Sequence, residues 1–95
     1  MIIEKHIDGN DLTIKVEGWL DTNSSPELRQ EVVSFSDIKH LILDFSNLDY
    51  ISSSGLRVLL TFDKRMKGNM TVKNPTETVK DIFEVTGFVD ILNIE

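Results

Sequence analysis

The stretch HLILDFSNLDYISSSGLRVLL, residues 40–60, decides the fold because it joins an apolar strand to an apolar helix through a polar turn. Its first six residues, HLILDF, are almost continuously apolar between polar neighbours, which is typical of a central strand covered on both faces. After Gly55 the apolar residues recur at helical spacing, which predicts a helix packed against that strand. Leu56, Leu59, Leu60 and Met66 have this spacing, and the first three are expected to be buried against the sheet.

A hairpin is predicted ahead of this stretch. DLTIKVEG, residues 11–18, alternates strictly between apolar and polar side chains, as a half-buried strand does. IIEKHI, residues 2–7, has a weaker strand pattern. Asp8–Asn10 between the two runs has the composition of a turn, so the two strands are expected to pair.

A loop and a helix are predicted over residues 18–35. GWLDTN, residues 18–23, is interpreted as the loop. Ser24 and Glu27 have the spacing of a capping box, and Pro26 suits an early helical position. One helical face then carries Leu28, Val32 and Phe35.

Strands and helices are predicted to continue alternating after the second helix. Gly68 has the character of the residue that ends that helix, and NMTVKN, residues 69–74, predicts a short strand. The third helix is expected to have Asn74 as its cap and Pro75 as its first residue, and to end at Gly87. Its buried stripe is predicted to be Val79, Ile82 and Phe83.

The predicted order β-β-α-β-α-β-α implies parallel crossovers within one sheet. The apolar tail, residues 88–95, adds either a short helix or an edge strand. We therefore predict a single α/β domain over residues 1–95, with a mixed, mostly parallel sheet, an N-terminal hairpin and helices packed against the sheet. Partners of such sheets meet the loops at the carboxyl ends of the strands, here GWLDTN and DYISSS, residues 49–54.

The amino-acid composition and net charge indicate which classes of partner to expect. The net charge is −6, and the densest basic stretch, residues 63–68, is interpreted as a helix C-terminus, so no nucleic-acid partner is expected. An acidic surface instead favours a protein partner with a basic face. The absence of cysteine excludes disulfides and thiolate metal sites, and no apolar run is long enough to span a bilayer. We therefore expect a cytoplasmic protein with no membrane partner.

The sequence predicts no catalytic residue, cofactor or metal ion. It has neither a GxSxG elbow nor a GxxxxGK[ST] phosphate loop, and His6 and His40 are predicted at the opposite end of the sheet from Ser54. The candidate metal ligands are Asp21, Asp44 and Asp49. Asp44 has an alternative role as an acceptor for loop amides. An enzyme with Ser53 or Ser54 as nucleophile would lack a base.

The serine triplet at residues 52–54 has two possible interpretations, one structural and one functional. In the first, the serines cap the helix and bond free amides. In the second, one serine accepts a phosphate, because an exposed anion near a helix N-terminus is favoured by roughly 0.3–1 kcal/mol. We expect Ser52 or Ser53 to cap the helix, which leaves Ser54 as the acceptor.

Two stretches carry a resemblance to a known family. LILDFSNLDYISSSGLRVLL, residues 41–60, resembles the core of the STAS domain, the fold of the bacterial anti-sigma factor antagonists. GWLDTNSSPELRQEV, residues 18–32, resembles the other signature loop and helix of that family. The element order is similar along nearly the whole chain, and two separated signatures are more specific than either alone.

The resemblance implies roles for individual residues. In that family the second loop usually reads D-S-[ST]-G and the hydroxyl residue before the glycine is phosphorylated, which corresponds to Ser54, with Ser53 less favoured. Ser52 departs from the pattern, since phosphorylated members usually carry Asp there. The G-x-[LV]-D pattern of the first loop implies that Asp21 meets the partner. The residues expected to bind the partner are Asp21, Thr22, Asn23, Ser52, Ser53 and Gly55.

The mechanism that the resemblance implies is a partner switch. The unphosphorylated chain binds an anti-sigma factor that is also a serine kinase, and the sigma factor is released. The kinase then phosphorylates Ser54 with ATP, and a phosphatase resets the chain. Two alternatives stay open: a constitutive docking or scaffold module in which Ser54 only caps the helix, and a helix-capping role for Asp21.

Overall fold

The N-terminal hairpin forms as predicted. In the computed structural model, which describes residues 1–34 and 37–95, β1 (Ile2–Asp8) pairs antiparallel with β2 (Asp11–Leu20). The two-residue turn between them holds Gly9 at φ 62°, a left-handed conformation that glycine adopts without steric cost.

Helices and strands alternate after the hairpin. They are α1 (Ser25–Val33), β3 (His40–Ile51), α2 (Ser53–Arg65), β4 (Met70–Lys73), α3 (Glu77–Thr86) and β5 (Asn93–Ile94). The strands form one sheet in the order β1-β2-β3-β4-β5, and β2 to β5 run parallel. The predicted α/β domain is therefore confirmed, with β3 at the centre of its sheet.

The central strand is buried on one face and partly covered on the other. Leu41, Leu43 and Phe45 are fully buried, whereas Ile42 and Asp44 between them are half-buried. The prediction that both faces of HLILDF are covered is wrong for the second face. A continuous apolar run does not distinguish the two cases, because an isoleucine also gains free energy from partial burial.

The apolar stripe of α2 packs into the core. Leu56, Leu59, Phe62 and Met66 are buried. Leu60 is only half-buried, contrary to the prediction. It follows Leu59 by one residue, which turns its side chain about 100° around the helix and away from the centre of the stripe.

The stripes of the other two helices are also buried. Their fully buried members are Leu28, Val32, Val79 and Phe83, while Ile82 is half-buried. Phe35, the third predicted residue of the α1 face, lies outside the described residues. None of the helices in the described ranges is long and apolar enough to span a bilayer.

Both predicted binding loops are shorter than expected. Residues 18–20 belong to β2 and residues 49–51 to β3, so their assignment to loops is wrong. The pairing of β2 with β3 shifts register twice between residues 15 and 19. These irregularities let both strands continue through glycine and polar residues that resemble a turn when only local sequence is considered.

Two helix starts differ from the sequence prediction. Thr76, not Asn74, caps α3: its Oγ1 accepts a hydrogen bond from the N–H of Val79 at 3.4 Å and donates to the carbonyl of Leu48 at 2.8 Å. Asn74 instead adopts a left-handed conformation with φ 54°. Ser24 is the N-cap of α1 as predicted, but its side chain makes no capping hydrogen bond, so the capping box does not form.

The helix ends follow the predicted chemistry with one shift. Gly87 ends α3 in a left-handed conformation, as predicted. After α2, Lys67 takes the left-handed position at φ 53°, and the N–H of Gly68 then donates to the carbonyl of Asp63 at 3.1 Å, which closes the helix end. The tail contains both predicted alternatives, a short 3-10 helix at Phe88–Asp90 and the edge strand β5.

Candidate functional site

The two predicted binding loops meet at one end of the sheet. The hydroxyl oxygens of Thr22 and Ser54 lie 3.0 Å apart, within hydrogen-bond distance. Thr22 follows β2 and Ser54 follows β3, and these strands are parallel neighbours whose carboxyl ends share one edge. Residues 21–24 and 52–54 therefore form one surface, here called the two-loop surface.

Asp21 organises the first loop. Its Oδ1 accepts hydrogen bonds from the N–H groups of Asn23 at 3.0 Å and Ser24 at 3.1 Å. The hydroxyl of Ser24 accepts from the N–H of Asp21 at 2.9 Å and donates to the carbonyl of Trp19 at 2.7 Å. The bond from the Ser24 N–H, above all, lowers the pKa of the Asp21 carboxyl group, so the side chain is held as an anion.

Asp21 is therefore part of the structure of the loop. Ser24 holds the N-cap position of α1, so Asp21 does not cap the helix as proposed in the alternative role. Its carboxylate fixes the loop that leads into the helix. Thr22 and Asn23 beside it are exposed, and their contact with a partner stays a prediction.

The three serines of the second turn differ in their environments. Ser52 is the N-cap of α2, and its Oγ accepts a hydrogen bond from the N–H of Gly55 at 3.3 Å. Ser53 is exposed, and its hydroxyl makes no hydrogen bond to the described part of the chain. Ser54 is half-buried and shares its hydrogen bond with Thr22. The hydroxyl of Ser54 thus makes no hydrogen bond within its own turn, but it contacts Thr22 in the other loop.

Gly55 allows α2 to start close against the sheet. A Cβ atom at this position would lie 2.7 Å from Cγ1 of Ile51 and 2.8 Å from the carbonyl oxygen of Leu20. The same carbonyl oxygen accepts a hydrogen bond from the N–H of Ser52 at 2.9 Å, which ties the turn to β2. Gly55 is buried, so it contributes backbone position to the two-loop surface rather than a side chain.

A groove of about 650 Å³ leads from the two-loop surface between α1 and α2. Thr22 and Ser54 line it together with the exposed arginines Arg29 of α1 and Arg57 of α2. The remaining lining residues are Ser25, Pro26, Gln30, Val33, Val58 and Thr61. Neither arginine was predicted; the available signal was the spacing of three residues between Ser54 and Arg57, which makes them neighbours on a helix.

An exposed aromatic pair adjoins the two-loop surface and was also missed by the sequence prediction. The ring centroids of Trp19 and Tyr50 lie 5.1 Å apart, and the side chains are 58% and 38% exposed. The two residues are paired neighbours on β2 and β3. The signal was the alternation of β2, which places Lys15, Glu17 and Trp19 on the face opposite the core.

The histidines lie at the other end of the sheet, as predicted. His40 starts β3, with its Nε2 3.1 Å from Oγ1 of Thr71, and His6 pairs with the amino end of β2. The carboxylate of Asp44 accepts a hydrogen bond from the N–H of Ser46 at 3.0 Å, the alternative to metal binding. Within the described ranges, no three potential ligand side chains gather where they could hold a metal ion.

Solved structures share the overall architecture. The anti-sigma factor antagonist SpoIIAA in its unphosphorylated form superposes with a TM-score of 0.84 at 19% identity, over 99% of this chain and 88% of that chain. The Bacillus cell fate determinant SpoIIAA in its phosphorylated form gives a TM-score of 0.77 at 18% identity, over 99% and 91%. At these identities the likeness shows the fold.

Sequence comparison shows the family. The model of the STAS domain family matches residues 2–95. The anti-sigma-B factor antagonist of Bacillus subtilis (strain 168) is 30% identical over 89 residues, which cover 90% of this chain and 82% of that protein. This chain belongs to the STAS domain family, among its anti-sigma factor antagonists, and the resemblance drawn from the sequence is confirmed.

Proposed function

We propose that this chain binds, in the cytoplasm, an anti-sigma factor that is also a serine kinase, and that phosphorylation of Ser54 ends the binding. The observation that supports the proposal is the 3.0 Å contact between the hydroxyl groups of Ser54 and Thr22. It joins the phosphate acceptor to the first loop, so a change at Ser54 reaches both halves of the two-loop surface. The chain is the substrate of the kinase and supplies no catalytic residue.

The added phosphate acts within the docking surface. A phosphoserine carries about −1.5 to −2 charges at neutral pH and three strong acceptor oxygens. Ser54 lies in the first turn of α2, where the positive end of the helix tolerates an anion, so the fold persists. Docking would strip water from this charge, which is unfavourable. The phosphorylated chain is therefore released, and a phosphatase restores binding.

The exposed aromatic pair completes the proposed docking surface. Protein interfaces combine an apolar, often aromatic, centre with a polar rim. Trp19 and Tyr50 supply exposed aromatic area beside the polar residues of the two-loop surface. Trp19 is also the only tryptophan of the chain, so its fluorescence reports partner binding directly when the partner's own signal is subtracted.

The test combines a phosphorylation assay with a binding titration. Wild type, Ser54→Ala and Ser54→Asp are incubated with the cognate kinase and ATP, and intact mass is measured together with Trp19 fluorescence. Wild type should gain one phosphate and dissociate, Ser54→Ala should bind without modification, and Ser54→Asp should bind more weakly with an unchanged unfolding midpoint. Ser53→Ala is the matched control for the acceptor, because Ser53 is the exposed neighbour, and it should gain one phosphate as wild type does.

Two outcomes contradict the proposal. If the kinase modifies Ser54→Ala at Ser52 or Ser53 as readily as it modifies wild type, the assignment of the acceptor is wrong. If no serine is modified and binding persists in ATP, the chain is a constitutive docking module. One observation favours that second candidate: Ser52 stands where phosphorylated members of the family usually carry an acidic residue.

A further inference from the structure

The groove between α1 and α2 is cationic in an acidic chain. The net charge of the protein is −6, yet the groove is lined by Arg29 and Arg57 and by no acidic residue of the described chain. Thr22 and Ser54, whose hydroxyl oxygens lie 3.0 Å apart, also line the groove. The groove thus combines two guanidinium groups, which suit an anion, with the proposed phosphate acceptor.

The two arginines are available to an anion. In the described ranges neither guanidinium forms a salt bridge or a hydrogen bond, whereas Lys5 pairs with Glu31, and Arg65 donates to a backbone carbonyl. Arg57 follows Ser54 by three residues on α2, so the two side chains share a helix face at a spacing of roughly 5–6 Å between Cβ atoms. Arg29 approaches the same space from α1.

We infer that the α1–α2 groove is the receptor for the phosphoryl group of Ser54, which is bound by the guanidinium groups of Arg57 and Arg29 and by the hydroxyl of Thr22. This inference rests on the proposed function, because it requires phosphorylation at Ser54. In that step the γ-phosphoryl group of ATP forms a bond to Oγ of Ser54, the bond to the ADP oxygen breaks, and the hydroxyl proton passes to the base of the kinase.

Binding of the phosphoryl group in the groove changes the charge of the groove itself. Guanidinium groups bind phosphate oxygens in bidentate, charge-assisted hydrogen bonds. The charge of two arginines then offsets the roughly −1.5 to −2 charges of the phosphoserine. The hydroxyl of Thr22, which loses the Ser54 hydroxyl as its partner, donates to a phosphate oxygen instead. Phosphorylation therefore fills and neutralises a cationic groove that is open in the unphosphorylated chain, and it keeps the two loops joined.

The experiment uses full-length chain with phosphoserine incorporated at residue 54 during translation, so that no kinase is needed. The second pKa of the phosphate is measured by phosphorus NMR over a pH titration. Wild type should show a pKa below the ordinary phosphoserine value of about 6, because cations favour the dianion. Arg57→Gln and Arg29→Gln should each raise the pKa, and the double variant should raise it further, toward the ordinary value.

Two matched controls separate the groove from general electrostatics. Phosphoserine placed at residue 53 is exposed and lies in the same helical turn, but outside the groove lining, so its pKa should not respond to Arg29→Gln. Arg57 is four residues further along α2 and is a helical neighbour of residue 53, so only the Arg29 substitution is compared at this position. Lys80→Gln removes one positive charge from an exposed position on α3 and should leave the pKa at residue 54 unchanged. The melting of the unphosphorylated variants shows that each one folds.

The inference is overturned if the double arginine variant titrates like wild type, or if Lys80→Gln raises the pKa as much as Arg57→Gln does. It is also overturned if phosphoserine at residue 54 abolishes cooperative melting, because the groove would then not accommodate the phosphoryl group. A different result would overturn the proposed function alone. In that case the arginine-dependent pKa is found, but the phosphoserine chain binds the kinase as tightly as the unphosphorylated chain.

Discussion

The turn into α1 and the turn into α2 both place adjacent serines between a strand and a helix, but they use the hydroxyl groups differently. In the first turn, Ser24 donates to the carbonyl of Trp19 at 2.7 Å, and Ser25 donates to the carbonyl of Asp21 at 2.5 Å. Ser25 is also only 4% exposed, so little of its side chain is accessible to another protein. The first turn thus uses both hydroxyl groups to hold its own backbone.

In the second turn, one serine is sufficient to hold the backbone. Ser52 caps α2, while the hydroxyl of Ser53 makes no hydrogen bond within the described chain and the hydroxyl of Ser54 bonds across to the first loop. Adjacent serines before a helix therefore do not share one role. A serine whose hydroxyl donates to a carbonyl of its own turn holds the backbone. A serine whose hydroxyl makes no such bond is available for modification.

The largest expected effect comes from shortening a buried side chain that packs α2 against the sheet. The same packing positions the second turn. Leu59 is fully buried in the apolar stripe of α2. Leu59→Ala should lower the free energy of unfolding by roughly 2–5 kcal/mol, because it removes buried methyl groups and leaves a cavity. Urea unfolding measures the loss. Leu60→Ala is the control at a half-buried neighbouring position, and equal losses for the two variants would contradict the assigned buried face.

Gly55→Ala should disturb the second turn without touching its serines. The added methyl would lie 2.8 Å from the carbonyl oxygen of Leu20, so the start of α2 must move away from β2. We expect a loss of roughly 1–3 kcal/mol in unfolding free energy, as for overpacking elsewhere in protein cores. Ser53→Ala, two residues earlier, is the control. If Gly55→Ala were as stable as that control, the close approach of helix and sheet would not be a constraint.

The difference between the turns can be tested with one substitution in each. Ser25→Ala removes the hydroxyl that donates to Asp21 and should cost about 0.5–1.5 kcal/mol. Ser53→Ala removes an exposed hydroxyl and should change the stability by less than about 0.5 kcal/mol. Both are compared by the midpoint of urea unfolding. Equal effects would mean that the two turns do not use their serines differently.

Much of the fold was predictable because its signals extend over many residues. The alternation of β2 and the apolar run of β3 each set the buried face of a whole strand. The placement of both loops at one end followed from parallel pairing of these strands. The extent of β3 was not predictable, because residues 49–51 stay in the strand only through irregular pairing with β2.

The details of the site depended on geometry that a local pattern does not contain. The contact between Thr22 and Ser54 joins residues 32 positions apart. It depends on how closely α2 approaches β2, which Gly55 sets through its missing Cβ. The position of Arg29 opposite Arg57 likewise depends on the packing of α1 beside α2. The residue types of the site were therefore visible in the sequence, while their partners were not.

The smallest expected effect concerns the charge that holds the first turn. The pKa of Asp21 is lowered in the folded chain, chiefly by the hydrogen bond from the N–H of Ser24. A group whose folded-state pKa is lowered stabilises the protein at pH values above its unfolded-state pKa. That stabilisation disappears as the pH falls through the lowered folded-state pKa, where the carboxylate is protonated in both states.

Asp21→Asn keeps an oxygen acceptor but removes the charge, so it isolates this contribution. The variant should be slightly less stable than wild type at neutral pH, and the difference should shrink as the solution is made more acidic than the ordinary pKa of an aspartate. Urea unfolding at several pH values measures both chains. Asp49→Asn, at an exposed position on β3, corrects for the loss of one negative charge from an acidic protein. A stability difference independent of pH would show that Asp21 holds the loop through geometry alone, and the charge would then have no part in keeping the first turn closed.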